Sequence, residues 1–130
     1  MKHEESMDPA DWIRIAKEDL ARVDVLLSAE NPVGAGFYLQ QAVEKFLKAF
    51  LLSKGWDLER SHDLQALLNQ ALERGAPAEP YRALCQRISG FYIAERYPLI
   101  VPPELTAEDV QECLDQVQGL IELLREGIKE

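Results

Sequence analysis

Residues 37–51 read Phe37-Tyr38-Leu39-Gln40-Gln41-Ala42-Val43-Glu44-Lys45-Phe46-Leu47-Lys48-Ala49-Phe50-Leu51. Apolar residues here do not alternate with polar ones, as a half-buried strand would require. At about 100° per residue, Leu39, Ala42, Val43, Phe46, Leu47, Phe50 and Leu51 share one broad arc, which is the pattern of an amphipathic helix. Gln41, Glu44, Lys45 and Lys48 fall on the opposite arc. The spacing predicts a helix from just after Gly34 to Lys54-Gly55, with Gly55 as its C-terminal stop.

The same periodicity recurs on both sides. Asp8-Pro9 opens a first helix, because Asp is a good N-cap and Pro tolerates the first helical position. It runs to about Ala29 and ends at Asn31-Pro32, with Trp12, Ile15, Ala16, Leu20, Val23, Leu26 and Leu27 as its stripe. After a loop from Gly55 to Arg60, Ser61 is the expected N-cap of a third helix over about Asp63–Arg74, with Leu64, Leu67, Leu68 and Leu72 inward. Gly75-Ala76-Pro77 breaks it. A fourth helix over about Pro80–Glu95 buries Leu84, Ile88 and Phe91, and Pro98, Pro102 and Pro103 forbid regular helix beyond it. Thr106-Ala107-Glu108-Asp109 is a capping-box-like start for the last helix, with Asp in place of the usual Glu. Val110, Cys113, Leu114, Val117, Leu120, Ile121, Leu124 and Ile128 form its seam. The expectation is an all-α protein: an antiparallel up-and-down four-helix bundle with one additional short helix.

The size fits one domain, residues 1–130 with a core of about 9–128. With 28% charged and 47% hydrophobic residues the chain reads as globular. It has no apolar run near the ~20 residues of a membrane span, and no apolar core of a secretion signal. Cys85 and Cys113 have no metal-knuckle spacing, so reduced thiols and a cytoplasmic location are expected. No metal site or cofactor is implied. The net charge of −9 argues against generic nucleic-acid binding. It is unevenly spread. Residues 1–30 carry 4 basic and 8 acidic side chains, and residues 101–130 carry 2 and 8, whereas 31–60 carry 4 and 3 and 61–100 carry 4 and 4. An anionic ligand should therefore meet the middle of the chain.

Several polar residues are misplaced for a plain bundle. Asp19 sits in the apolar stripe of the first helix, where a lone carboxylate is costly unless paired. It is either an anchor for a cation or site water, or a structural hydrogen-bonding partner of a neighbouring helix. Lys45 and Lys48, with Gln41 one turn earlier, either hold a phosphate or form a solvated face in which Glu44 pairs with Lys48 at i, i+4. Gln40 projects between Leu47 and Leu51 and reads as a buried amide. His62 is a cap residue or a proton-transfer group, and Asp63 a partner of the helix dipole. Arg96 either satisfies the last carbonyls of its helix or clamps an anion, with Tyr97 stacking on a base or a partner. Ser61, His62 and Asp63 are neighbours in sequence, which is not the geometry of a hydrolase triad. Gly34-Ala35-Gly36 lacks the Lys and the preceding strand of a phosphate loop.

Four blocks together resemble a known family. They are Trp12-x-x-x-Ala16-x-x-Asp19-Leu20; Phe37-Tyr38-x-Gln40-Gln41-Ala42-x-Glu44-Lys45-x-x-Lys48-Ala49; His62-Asp63-Leu64; and Arg96-Tyr97-Pro98. In order and at domain-scale spacing they are similar to a HEPN domain (higher eukaryotes and prokaryotes nucleotide-binding). The resemblance implies a bundle like the C-terminal domain of kanamycin nucleotidyltransferase. It also implies a homodimer and pairing with a minimal nucleotidyltransferase, often as a toxin–antitoxin system. Many HEPN toxins carry an Arg followed after four to six residues by a His, and that pair cleaves RNA. After Arg96 those windows hold Val101, Pro102 and Pro103, and the two histidines, His3 and His62, come earlier. The chain thus resembles the Arg-Tyr-Pro branch, for which the family implies nucleotide or substrate binding. On that reading Gln41, Lys45, Lys48, His62, Asp63, Arg96 and Tyr97 form the nucleotide-binding groove, supported by Asp19. The alternatives are a metal-independent endoribonuclease using His62 and Arg96, and a purely structural oligomerising bundle.

Overall fold

A computed structural model describes residues 6–97 and 105–129; Pro98, Val101, Pro102, Pro103 and His3 lie outside the described residues. The described residues are helical, without strands: α1 Pro9–Ser28, α2 Pro32–Ser53, α3 Leu64–Glu73, α4 Arg82–Arg96 and α5 Ala107–Ile128, with one 3-10 turn over Glu79–Tyr81 before α4. None of these helices is long and apolar enough to cross a membrane.

Local chemistry sets the helix ends. The Asp8 carboxylate accepts from the Ala10 N–H, and Pro9 follows as the first helical residue. Glu30 takes φ 58°, the left-handed backbone that lets α1 reverse into α2. α2 starts earlier than its sequence predicts. Asn31 caps it by accepting from Gly34 N–H, so the helix runs straight through the two glycines. Gly36 has a packing reason: a Cβ there would stand 3.0 Å from the Phe91 side chain of α4. α2 and α3 end alike. Gly55 and Gly75 adopt positive φ, their N–H groups donate to Leu52 and Leu72, and the following Trp56 and Ala76 N–H groups donate to Leu51 and Ala71. α3 departs from expectation at its start. Asp63 is the cap, accepting from Gln65 and Ala66, while Ser61 accepts from Asp63 N–H. Pro80 lies in the 3-10 turn rather than in α4. At α5 Thr106 and Asp109 form the reciprocal capping box.

α2 is the central element: α1, α3, α4 and α5 all pack on it. It is therefore buried nearly all round, with Leu39, Phe46, Leu47 and Leu51 in the middle of the core. This overturns the solvated-face reading of its polar arc. Glu44 and Lys48 are both buried, covered by Trp12 of α1 and by the chain around His62. A helix wheel orders residues by angle and does not show how many neighbours surround the helix. Cys85 and Cys113 are buried free thiols on α4 and α5. Burial pushes Cys85 up to about 11 and raises Cys113 as well, so both stay protonated at neutral pH.

The α5 cap gives a testable stability effect. The backbone N–H and hydroxyl of Thr106, helped by Arg87, hold the Asp109 carboxyl below its ordinary 3.8. A depressed carboxyl contributes stability above its unfolded pKa and loses it as pH falls through the folded value. Thr106→Ala should cost about 1 kcal/mol at neutral pH by urea unfolding. The gap in Tm between wild type and Asp109→Asn should narrow as pH drops below 3.8. A gap that widens in acid would contradict the cap assignment.

Candidate functional site

Between α1, α2 and the segment leading into α3 lies a cavity of about 360 Å³. α2 supplies Gln41, Glu44, Lys45 and Lys48, which project from successive turns of one face. α1 supplies Asp11, Trp12 and Ile15, and the loop supplies Glu59, Arg60 and His62. Among the described residues its lining carries three cations (Lys45, Lys48, Arg60) and three carboxylates (Asp11, Glu44, Glu59) besides His62. The described lining is thus balanced in charge.

Glu44 organises the interior wall. Its side chain is 3% exposed. One oxygen accepts from Lys48 Nζ at 3.0 Å. The other lies 2.9 Å from His62 Nδ1 and 3.4 Å from Gln40 Nε2. A buried carboxylate accepts only, so Nδ1 carries the proton it shares with Glu44, and Nε2 has no hydrogen-bond partner among the described residues. Gln40 also donates to the His62 carbonyl at 3.2 Å, and Gln41 donates to Gln40 at 2.6 Å. The amide at position 40 is buried, as its place in the sequence implies. The Lys48 ammonium also lies 5.4 Å from the Trp12 ring.

Asp19 is buried and bonded to both neighbours: Lys45 Nζ at 2.5 Å from α2 and Arg22 at 2.8 Å within α1. The structure thus gives it a hydrogen-bonding partner on the neighbouring helix. Lys45 and Lys48 each hold a separate internal carboxylate, so they are not a pair of open cations.

His62 joins this cavity to a second group. Its ring stacks on Tyr92 at 5.6 Å and 19°, and Tyr92 stacks on Phe37 at 5.8 Å and 25°. Arg96 stands 5.5 Å from both the Tyr92 and Phe37 centroids. The end of α4 and the segment before α3 thus meet on one tyrosine, although 34 positions separate His62 from Arg96 in the chain. The arrangement brings together Gln41, Lys45, Lys48 and His62 around the cavity and links Arg96 to His62 through the Tyr92 ring. Asp63 is engaged as the α3 cap, and Tyr97 is exposed at the C-cap of α4. Trp12, Tyr92 and Arg60 escape a reading of charge patterns. For Tyr92 the available signal is its i, i+4 spacing from Arg96.

A model of the HEPN domain family matches residues 9–127, and the chain belongs to that family. It is 27% identical over 133 residues to "Putative toxin MJ1304" of Methanocaldococcus jannaschii, an alignment covering 92% of this chain and 87% of the relative. The crystal structure of TT1696 from Thermus thermophilus superposes with a TM-score of 0.83 at 26% identity, covering 92% of this chain and 97% of that one.

The buried pair predicts an asymmetric mutational response. Lys48→Ala removes the ion-pair partner of the buried Glu44 and leaves its second oxygen unanswered, which should cost about 3–5 kcal/mol in urea unfolding. Removing both charges with Glu44→Gln and Lys48→Met together should cost clearly less. Equal losses for the single and double variants would show that the two groups do not act as a pair.

Proposed function

We propose that the chain is a nucleotide-binding HEPN module that works as a homodimer beside a minimal nucleotidyltransferase in a toxin–antitoxin-like pair. The observation that carries this reading is the meeting of His62 and Arg96 on Tyr92, at the edge of the cavity that Lys45 and Lys48 line. Arg96 has 55% of its side chain exposed, is held over two rings and pairs through Nε with Glu95 at 3.8 Å, a posture that leaves its terminal N–H groups to receive a phosphate. The module binds; the partner supplies the chemistry. The printed name of the M. jannaschii relative includes the word toxin, which agrees with this class of pairing. Arg96→Ala should weaken binding of nucleoside phosphates about tenfold in calorimetry while the helical circular-dichroism signal is unchanged. Undiminished affinity in a folded variant would refute the role given to Arg96.

A second reading is favoured by one contact, the Glu44–His62 hydrogen bond. A carboxylate that fixes an imidazole by Nδ1 presents Nε2 for proton transfer. With Arg96 nearby to stabilise developing phosphorane charge, metal-independent RNA cleavage follows. Wild type should then cut unstructured RNA in the presence of a chelator, and His62→Ala should not. An absence of cleavage over varied RNAs would remove this reading and leave the binding module.

A further inference from the structure

Phe37, Tyr92 and His62 form a short column of near-parallel rings, running from the start of α2 across α4 to the edge of the cavity. Such a column ends in a face. Tyr92 covers one side of the imidazole, and Glu44 holds its Nδ1 edge. His62 lines the cavity, and its side chain is 56% exposed. Trp12 and Ile15 give the same cavity an apolar wall. Its volume of about 360 Å³ is at the small end of ligand pockets, enough for one planar group with its sugar and too small for a folded polymer. The balanced lining disfavours a bare polyanion and suits a neutral ring bearing donors and acceptors.

We infer that His62 is a stacking platform, and that the cavity takes the base of a single ribonucleotide as the next ring of the Phe37–Tyr92–His62 column. The inference rests on the nucleotide-binding reading and reassigns the base from Tyr97 to His62. In it the stack on Tyr92 sets the plane of the ring, while Glu44 occupies its Nδ1 edge. Two sources present this chemistry, a free nucleotide and an unpaired nucleotide of an RNA strand. Stacking on an aromatic face tolerates every base, because each has a π-face.

Equilibrium dialysis with the four 5′-ribonucleoside monophosphates, ribose 5-phosphate and a hexa-adenylate RNA tests the assignment. It uses wild type, His62→Ala and His62→Phe, each shown by circular dichroism to be folded at the temperature of the dialysis. His62→Ala should lose about tenfold in nucleotide affinity, the usual scale for removing one aromatic platform. His62→Phe keeps a face and cannot move a proton, so it should stay within about twofold of wild type. Ribose 5-phosphate should bind at least tenfold more weakly than the nucleotides. If His62→Phe is as weak as His62→Ala, or ribose 5-phosphate matches the nucleotides, the stacking role is wrong while nucleotide binding stands. If wild type binds none of the probes, the nucleotide reading itself fails. A hexamer bound more tightly than AMP makes RNA the source, equal affinity makes it the free nucleotide, and both of these outcomes support the platform.

Discussion

A carboxylate placed inside a helical core has to be answered on every side, and Glu44 is where this protein meets that demand. Desolvating one ion costs several kcal/mol, which an attractive partner offsets only with good geometry and with its lone pairs occupied. Lys48, one turn on, answers one oxygen; Gln40, one turn back, and His62 answer the other. Two of those three partners come from the same helix, so the demand is met largely within α2. The third comes from the segment before α3, and that fixes where this segment runs. Through His62 the requirement extends to Tyr92, and through Tyr92 to the end of α4. One buried charge therefore holds three separate parts of the chain in register.

The central position of α2 explains why a small protein tolerates such a network. With α1, α3, α4 and α5 packed around it, apolar burial is supplied by residues such as Phe46, Leu47 and Leu51. Polar positions on its remaining arc are then free to serve a site. The HEPN family membership and the superposition on TT1696 place the fold within a shared architecture. The cavity is the gap left where α1 and the loop cover that polar arc incompletely.

Much of the fold is legible in residue order. The capping box at Thr106, the stop at Gly55 and the stripe through Trp12, Ala16 and Val23 are local signals, and local signals survive into the structure. The start of α2 is hidden because glycine has a low helix propensity, whereas the close approach of Phe91 makes Gly36 a fitting residue there. The candidate site is only half legible. That Lys45, Lys48 and His62 share a groove follows from the family blocks that contain them. The burial of Glu44 does not, since an i, i+4 Glu–Lys pair looks the same on a wet face and in a core. The ring column is invisible for a different reason: Phe37, His62 and Tyr92 come from three segments, and nothing in their spacing encodes a stack.

The ladder Gln40–Glu44–Lys48 also bears on the order in which the molecule assembles. Contacts four residues apart form as a helix winds, whereas those to His62 and Asp19 require distant segments to close a loop first. Once α2 has wound, the carboxylate has its ammonium partner, and α1 covers charges already matched. Water is stripped from a neutral couple rather than from two bare ions, which lowers the electrostatic barrier to the final collapse.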